Sequence, residues 1–131
     1  MKPRRTLGIL LLLPAALLSC DDDCCGPLVC TEELRPGITV DVVEADTGVP
    51  AADGATLTLR DGDWVESTTY AYLGTTFAGA YERAGTYDVA VARAGYHTWI
   101  RAGVRVGADA CHVHTVRLDA ALERSGAGTG A

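Results

Sequence analysis

The chain lacks the two apolar patterns that identify long helices. After the first 20 residues, no segment keeps its apolar residues at a sustained period of about 3.6, which excludes a helical bundle. The apolar run at residues 7–18 is shorter than the roughly 20 residues that a membrane-spanning helix needs. With 131 residues in total, the chain has room for one small domain.

Basic residues are also few, and some of them lie at the N-terminus. Lys2, Arg4 and Arg5 belong to a leader that we expect to be removed, which leaves 8 of the 11 basic residues against 17 acidic ones, a formal charge of −9. Phosphate backbones bind to clustered Lys and Arg, so the sequence argues against a nucleic acid partner. Docking on anionic lipid through charge alone is disfavoured for the same reason.

Residues 1–19 have the features of an export signal. A short basic region precedes the apolar run, which ends in Leu17-Leu18-Ser19-Cys20. This ending resembles the bacterial lipoprotein signal, which implies cleavage before Cys20 and lipidation of that cysteine. Acyl chains would hold the protein to a membrane, because each buried CH₂ contributes about 0.8 kcal/mol. An ordinary signal peptide with an incidental cysteine is the alternative.

Lipidation implies a location in the bacterial cell envelope, facing the periplasm or the cell exterior, where disulfides persist. Asp21, Asp22 and Asp23 follow the lipidation site. In enteric bacteria an aspartate at this place resembles a signal for retention in the inner membrane, and a solvated acidic spacer is the alternative. We expect residues 20–36 to form a lipidated, Cys-rich tether.

The clearest strand signal contains Tyr87, Val89 and Val91, which alternate with residues of the opposite face. Gly95 ends this strand, and the aromatic and β-branched run at residues 96–100 begins the next one. The two strands are therefore predicted to form an antiparallel hairpin inside an all-β domain.

Alternation and turn residues predict the other strands of the domain. They lie at residues 37–43, 55–59, 64–72, 75–83, 104–106 and 111–118. About seven short strands with turns every 8 to 12 residues favour a sandwich of two sheets. We expect this domain to span residues 37–121, followed by a flexible Gly-rich tail at residues 122–131.

Two stretches carry a family resemblance. Gly85-x-Tyr87-x-Val89-x-Val91 is followed by Gly95-Tyr96, and upstream Gly37-Ile38-Thr39-Val40-Asp41-Val42-Val43 is followed by the turn Asp46-Thr47-Gly48. This pattern resembles the carboxypeptidase regulatory-like domains, which are small transthyretin-like sandwiches with Greek-key connections. The resemblance covers roughly residues 37–120, and it implies a fold more than a function.

The resemblance also bears on the cysteines. In transthyretin-like sandwiches the first and last strands run near each other in one sheet, which implies that Cys111 pairs with Cys30 of the tether. The sequence leaves Cys24 or Cys25 open as the partner. The spacing Cys24-Cys25-x4-Cys30 has no second cysteine pair of the kind that structural zinc sites use, so we expect no zinc there.

Three histidines are the candidates for metal chemistry. His112 and His114 alternate across Val113 and would share one face of the predicted last strand, with His97 as a third ligand. The alternative is a pair of partly buried neutral histidines, hydrogen-bonded at one end of the sandwich. We favour the second interpretation and expect no metal and no cofactor.

Catalysis has little support in the sequence. No serine lies in a nucleophile-elbow pattern such as Gly-x-Ser-x-Gly. Some transthyretin-like proteins are hydrolases of the urate pathway with a C-terminal Tyr-Arg-Gly-Ser motif, whereas this chain ends in Gly-Thr-Gly-Ala. We therefore predict a protein that is not an enzyme. The alternative is a small envelope hydrolase or metal-binding protein that uses His97, His112 and His114.

Aromatic residues supply the remaining functional hypothesis. Exposed aromatic rings stack on sugars or anchor a protein partner. The residues predicted to form such a binding face are Trp64, Tyr72, Tyr81 and Trp99. Packing in the core is the alternative for each of them. The sequence thus predicts a non-catalytic binding or scaffolding module that contacts an envelope protein or a glycan, in addition to its lipid contact with the membrane.

Overall fold

The structure is a computed structural model that describes residues 27–126. The predicted export signal, Cys20, Cys24 and Cys25 lie outside these residues, as does the end of the tail. Within residues 27–126, no helix is long and apolar enough to cross a membrane.

The described residues form seven strands arranged in two sheets. The strands are β1 (Ile38–Glu44), β2 (Ala55–Asp61), β3 (Trp64–Thr68), β4 (Thr76–Gly79), β5 (Gly85–Arg93), β6 (Trp99–Val106) and β7 (Val116–Leu122). One sheet has the strand order β4-β1-β7 and the other β3-β2-β5-β6. Both sheets contribute to one hydrophobic core, so the fold is an all-β, two-sheet architecture consistent with a sandwich.

The alternation predicted for β1, β2 and β5 is confirmed. Each of these strands directs every second side chain into the core, where its exposure is 1% or less. These core residues are Ile38, Val40, Val42, Ala55, Leu57, Leu59, Tyr87, Val89 and Val91. Complete burial stabilises the fold by about 1.5 to 3 kcal/mol for each large aliphatic side chain. The period of two in the sequence therefore fixes which face of each strand is buried.

The first and last strands are parallel neighbours. Ile38 pairs with Val116 at one end of β1, and Glu44 pairs with Leu122 at the other. The other neighbour of β1 is β4, which is antiparallel to it. The segments that precede β1 and β7 therefore meet at the same end of the sandwich.

The predicted position of the last strand is wrong. We expected residues 111–118, whereas β7 begins at Val116 and ends at Leu122. The backbone N–H groups of Cys111 and His112 donate to Asp109 Oδ1, at 2.8 and 2.9 Å, so they form a turn and not a ladder. Leu122 is 1% exposed, so the domain extends past the predicted boundary at residue 121.

Strands β3 and β4 are shorter than predicted because turns interrupt both segments. Tyr70 N–H donates to the Thr68 hydroxyl at 3.1 Å, which ends β3. Leu73 has a φ of 51° in the turn that follows, and Ala80 has a φ of 52° just after β4. A left-handed backbone cannot continue a strand. Strand β6 likewise begins at Trp99 and not at residue 96.

Candidate binding groove

The four aromatic residues predicted to form a binding face do not lie together. Tyr72 and Tyr81 are 64% and 45% exposed and line one groove, which they share with Tyr70, 76% exposed. Trp64 and Trp99 do not line this groove, and each is half-buried and packs against the core. We call the shared site the tyrosine groove.

The tyrosine groove lies between the two edge strands β3 and β4. It has a volume of about 430 Å³, and it is lined by Glu66, Thr68, Tyr70, Tyr72, Thr76, Ala78 and Tyr81. Small-molecule sites typically have volumes of about 300 to 1,000 Å³. The lining contains aromatic rings, hydroxyl groups and one carboxylate, and it contains no cationic side chain.

Unusual backbone geometry positions the tyrosines. Within residues 27–126, the non-glycine residues with positive φ are Leu73, Ala80 and Glu82, at 51°, 52° and 49°. Leu73 follows Tyr72, and the other two flank Tyr81. Such conformations cost about 1 to 3 kcal/mol each and concentrate at functional sites. The clustering of all three beside the groove marks it as the candidate functional site.

Hydrogen bonds to neighbouring elements hold this backbone in place. Ala80 N–H donates to Glu66 Oε2 at 2.9 Å, and Glu82 N–H donates to the Arg35 carbonyl at 2.9 Å. On the other side of the groove, Tyr72 N–H donates to the Thr76 carbonyl at 2.8 Å. The turns that present Tyr72 and Tyr81 are therefore fixed before any ligand binds.

Trp64 has a structural role. The Arg83 guanidinium lies 4.3 Å above its ring, and Tyr87 packs edge-on with the ring centroids 5.6 Å apart. Arg83 also donates to Asp61 at 2.7 Å and to the Tyr87 hydroxyl at 2.9 Å. Bonding to Asp61 and Tyr87 raises the pKa of Arg83. The cation–π contact covers a face of Trp64 that a ligand would need.

Trp99 lies in a different hollow, together with His97. This hollow has a volume of about 200 Å³ and also includes Ile100 and Glu123. Arg101 lies 5.7 Å from the Trp99 ring centroid. The hollow around Trp99 is therefore separate from the tyrosine groove, and different residues line it.

The tether is attached to the domain by a disulfide between Cys30 and Cys111, the pairing that the family resemblance implied. The residues that follow the two cysteines also meet. The Thr31 hydroxyl lies 2.9 Å from His112 Nε2, and His112 Nδ1 lies 2.8 Å from Glu82 Oε1. We call this region the disulfide end of the sandwich.

Glu82 connects the disulfide end to the tyrosine groove. Its carboxylate accepts hydrogen bonds from Arg35 N–H at 2.8 Å and Val113 N–H at 3.3 Å, in addition to His112. These bonds, led by the one from Arg35, lower the pKa of Glu82. Because Glu82 follows Tyr81 directly, the contacts that bind the tether also fix one wall of the groove.

The histidines do not converge on a common site. His112 and His114 precede β7, whereas His97 N–H donates to the carbonyl of Glu123, just beyond the other end of β7. The seven residues of β7 separate these positions by about 20 Å. Within residues 27–126, no group of three or more His, Cys, Asp or Glu side chains is placed to hold a metal ion.

The two neighbouring histidines also differ from each other. His112 is 9% exposed, whereas the His114 side chain is 65% exposed and bonds to Asp109 at 3.2 Å. The prediction that they share one face of a strand is wrong, because the Asp109 turn replaces the strand at this point. Only His112 is buried at the end of the sandwich, with both ring nitrogens hydrogen-bonded.

Thr31, His112 and Glu82 form a hydroxyl–imidazole–carboxylate row. In the neutral imidazole, Nδ1–H donates to the carboxylate and Nε2 accepts from the hydroxyl, the order found in serine hydrolases. Acyl transfer also requires N–H donors for an oxyanion. The nearby N–H groups of Cys111 and His112 both donate to Asp109 instead. The row also joins the tether to the domain, and we call it the tether clamp.

The opposite end of the sandwich holds the C-terminal residues. Arg124 donates to both carboxylate oxygens of Glu44, at 3.0 and 3.1 Å, and the Tyr96 hydroxyl also donates to Glu44. Arg124 and Arg93 approach the Tyr96 ring to 5.5 and 5.0 Å. The hydrogen bond from Tyr96 lowers the pKa of Glu44, and the same bond raises that of Tyr96. We call this region the Tyr96 end.

Two comparisons with known proteins gave no match. No protein-family model and no curated protein matches the chain. The function proposed below therefore rests on the side chains of the tyrosine groove and on the residues that hold them.

Sequence reasoning missed several residues of these sites. Tyr70 had a usable signal, since it shares the parity of Tyr72 in the segment predicted as a strand. Glu82 and Thr31 had none, because their partner His112 lies 30 and 81 residues away in the chain. Contacts over such separations depend on the complete topology.

Proposed function

We propose that this protein is a lipid-anchored lipoprotein of the bacterial envelope whose domain binds a partner through the tyrosine groove. The anchor is supported by the leader sequence that ends in Cys20. The binding role is supported by the groove, and the module performs no catalysis. Tethering at Cys20 holds the groove near the membrane surface, where the partner is an envelope protein or glycan.

We assign the domain to the transthyretin-like class of Greek-key sandwiches, the class to which carboxypeptidase regulatory-like domains belong. Seven strands in sheets of three and four support this assignment. So does the adjacency of the first and last strands in one sheet, which the motifs around Tyr87 and Val40 implied. The class specifies the scaffold and leaves the ligand to the groove.

One observation carries the binding proposal. Exposed aromatic side chains are concentrated in the tyrosine groove, on turns that adopt costly left-handed conformations. A surface selected only for solubility would gain nothing from strained backbone that presents Tyr72 and Tyr81 to water. A binding site explains both the exposure and the strain.

Photocrosslinking in intact cells tests the groove. The full-length protein would carry p-benzoylphenylalanine in place of Tyr72 or, as the control, in place of Val65, which is 46% exposed on the opposite face of β3. We expect a discrete crosslinked species from position 72 and none from position 65. Equal products at both positions, or none at either, would contradict the proposal.

Fractionation tests the anchor. The Cys20→Ser variant should leave the membrane fraction, and the wild-type protein should incorporate labelled palmitate. A Cys20→Ser variant that stays with the membranes, together with an unlabelled wild type, would remove the basis for lipid attachment.

A small hydrolase is the second candidate, and the row Thr31–His112–Glu82 is the observation that favours it. A fluorophosphonate probe that labels the wild type but not the Thr31→Ala variant would establish this activity. Absence of labelling in both would leave the row as the tether clamp described above.

A further inference from the structure

The lining of the tyrosine groove selects for a particular ligand chemistry. Tyrosine rings provide apolar faces, while the hydroxyls of Thr68 and Thr76 and the carboxylate of Glu66 provide hydrogen-bonding groups beside them. The only aliphatic side chain in the lining is that of Ala78. Protein hot spots typically use Trp, Tyr and Arg anchors in dry, well-packed pockets. This groove combines ring faces with polar edges, as a sugar ring does.

Charge excludes several classes of ligand. Glu66 is the one carboxylic acid in the lining, and no Lys, Arg or His side chain lines the groove. Phosphate, sulfate and carboxylate groups need cationic or N–H partners, so an anionic polymer would be repelled. The acidic balance of the chain outside its leader acts in the same direction. The part of the ligand that the groove contacts is therefore not anionic.

Polar groups remain for a ligand to use. Glu66 Oε2 accepts the hydrogen bond from Ala80 N–H, which orients the carboxylate and leaves Oε1 to accept from a ligand hydroxyl. Thr76 donates to Asp41 and lies 3.2 Å from the Thr75 hydroxyl, which leaves one lone pair of its oxygen to accept a further bond. A neutral polyhydroxylated ring satisfies these acceptors with its hydroxyl groups while its C–H face covers a tyrosine ring.

The groove is suited to a chain more than to a single small molecule. It lies between two edge strands and is bordered by exposed tyrosines. The turns around Leu73 and Ala80 fix the positions of Tyr72 and Tyr81, which reduces the entropy lost on binding.

We propose that the tyrosine groove binds a neutral glycan chain, with Tyr72 and Tyr81 stacking on sugar rings and Glu66 accepting hydrogen bonds from their hydroxyl groups. This inference rests on the proposed binding function and specifies its ligand. It concerns uncharged hexose or N-acetylhexosamine polymers, since both present C–H faces and hydroxyl edges.

Titration calorimetry with defined oligosaccharides tests the inference. The full-length protein in detergent would be titrated with cellohexaose, chitohexaose, laminarihexaose and maltohexaose, and with a heparin hexasaccharide as the anionic control. We expect at least one neutral oligosaccharide to bind and heparin not to bind. Tyr72→Ala and Tyr81→Ala should each weaken that binding by about 10-fold or more. The matched control Val65→Ala should leave it unchanged.

The outcomes separate this inference from the proposed function. Binding that Tyr72→Ala and Val65→Ala reduce equally, or binding of heparin alone, would overturn the glycan assignment. If no neutral oligosaccharide binds but position 72 still crosslinks to a protein in cells, the groove is a protein site: the glycan inference fails and the binding function stands. If neither occurs, both fail.

Discussion

The two ends of the sandwich hold the two terminal segments of the domain in different ways. At the disulfide end, the tether is held by a covalent bond and by a buried imidazole with partners on both sides. At the Tyr96 end, the C-terminal residues are held by Arg124, whose side chain is 61% exposed, and by ring contacts. One attachment is covalent and includes a buried imidazole, whereas the other consists of an ion pair, ring contacts and backbone hydrogen bonds such as that from His97 N–H to the Glu123 carbonyl.

The two attachments should differ in strength. Exposed ion pairs add little stability and are screened by salt, whereas a crosslink over a long loop adds much. The stronger attachment lies on the side that leads to Cys20, and it shares Glu82 with the wall of the tyrosine groove. Substitutions at the two ends should therefore lower the stability of the fold by different amounts. The losses should also depend differently on reductant, acid and salt.

Loss of the disulfide should have the largest effect. Cys111→Ser removes a crosslink between residues 81 positions apart, which in the chain-entropy model lowers the free energy of unfolding by roughly 4 to 5 kcal/mol. Urea denaturation under non-reducing conditions measures the loss. Cys30→Ser and the double variant should lose the same amount, because all three lack the same bond. An unchanged unfolding midpoint in Cys111→Ser would show that no disulfide crosslinks the tether to the domain.

Replacement of the buried His112 imidazole should have the second-largest effect on stability. His112→Phe removes the hydrogen bonds of His112 to Thr31 and Glu82, and each such bond typically contributes about 0.5 to 1.5 kcal/mol to stability. His114→Ala is the matched control, since that side chain is exposed and should change stability by about 0.5 kcal/mol or less. Equal losses in the two variants would refute the assignment of the clamp to His112.

Acid should weaken the disulfide end. The N–H groups of His112 and Cys111 lower the pKa of Asp109 from 3.8 to about 2. A carboxyl group whose pKa is lower in the folded state stabilises the protein above its unfolded pKa, and this contribution is lost as pH falls through the folded pKa. The urea midpoint should therefore drop between about pH 4 and pH 2. Asp109→Asn should show a smaller drop over this interval, and parallel curves would contradict the assignment.

The smallest effect should come from the Tyr96 end. Arg124→Ala removes an ion pair whose arginine side chain is 61% exposed, while Glu44 keeps its bonds from Thr47 and Tyr96, so we expect a smaller loss of stability than in His112→Phe. Because the Debye length falls to about 3 Å in 1 M salt, the difference from wild type should shrink there. A loss that persists in high salt would mean that packing against Tyr96, and not charge, holds the segment.

The sequence predicted the parts of this fold that depend on local periodicity. Residues such as Val40, Leu57 and Val89 alternate with polar neighbours, and burial follows directly from that period. The last strand was misplaced because His112, Val113 and His114 imitate the same alternation. There the Asp109 carboxylate accepts hydrogen bonds from the backbone N–H groups that a strand would use to pair with its neighbour.

Two of the four aromatic residues predicted for the binding face line the tyrosine groove. Tyr72 and Tyr81 are exposed and share a groove, as a binding face requires. Trp64 could not be excluded from the sequence, because Arg83, which covers its ring, lies 19 positions further along the chain. Whether an aromatic side chain faces water depends on residues that are distant in the chain. The local sequence pattern does not reveal which residues these are.

The parallel pairing of β1 and β7 determines how the domain carries a mechanical load. In the proposed lipoprotein, a pull between the membrane anchor and a bound partner would enter the domain at Cys30. The backbone passes part of the force to β1, and the disulfide passes the rest to the segment that leads into β7. Since these strands are neighbours that begin at the same end, two strands of one sheet share the tension. Reduction of the disulfide would leave the backbone that leads into β1 as the sole covalent path for this force.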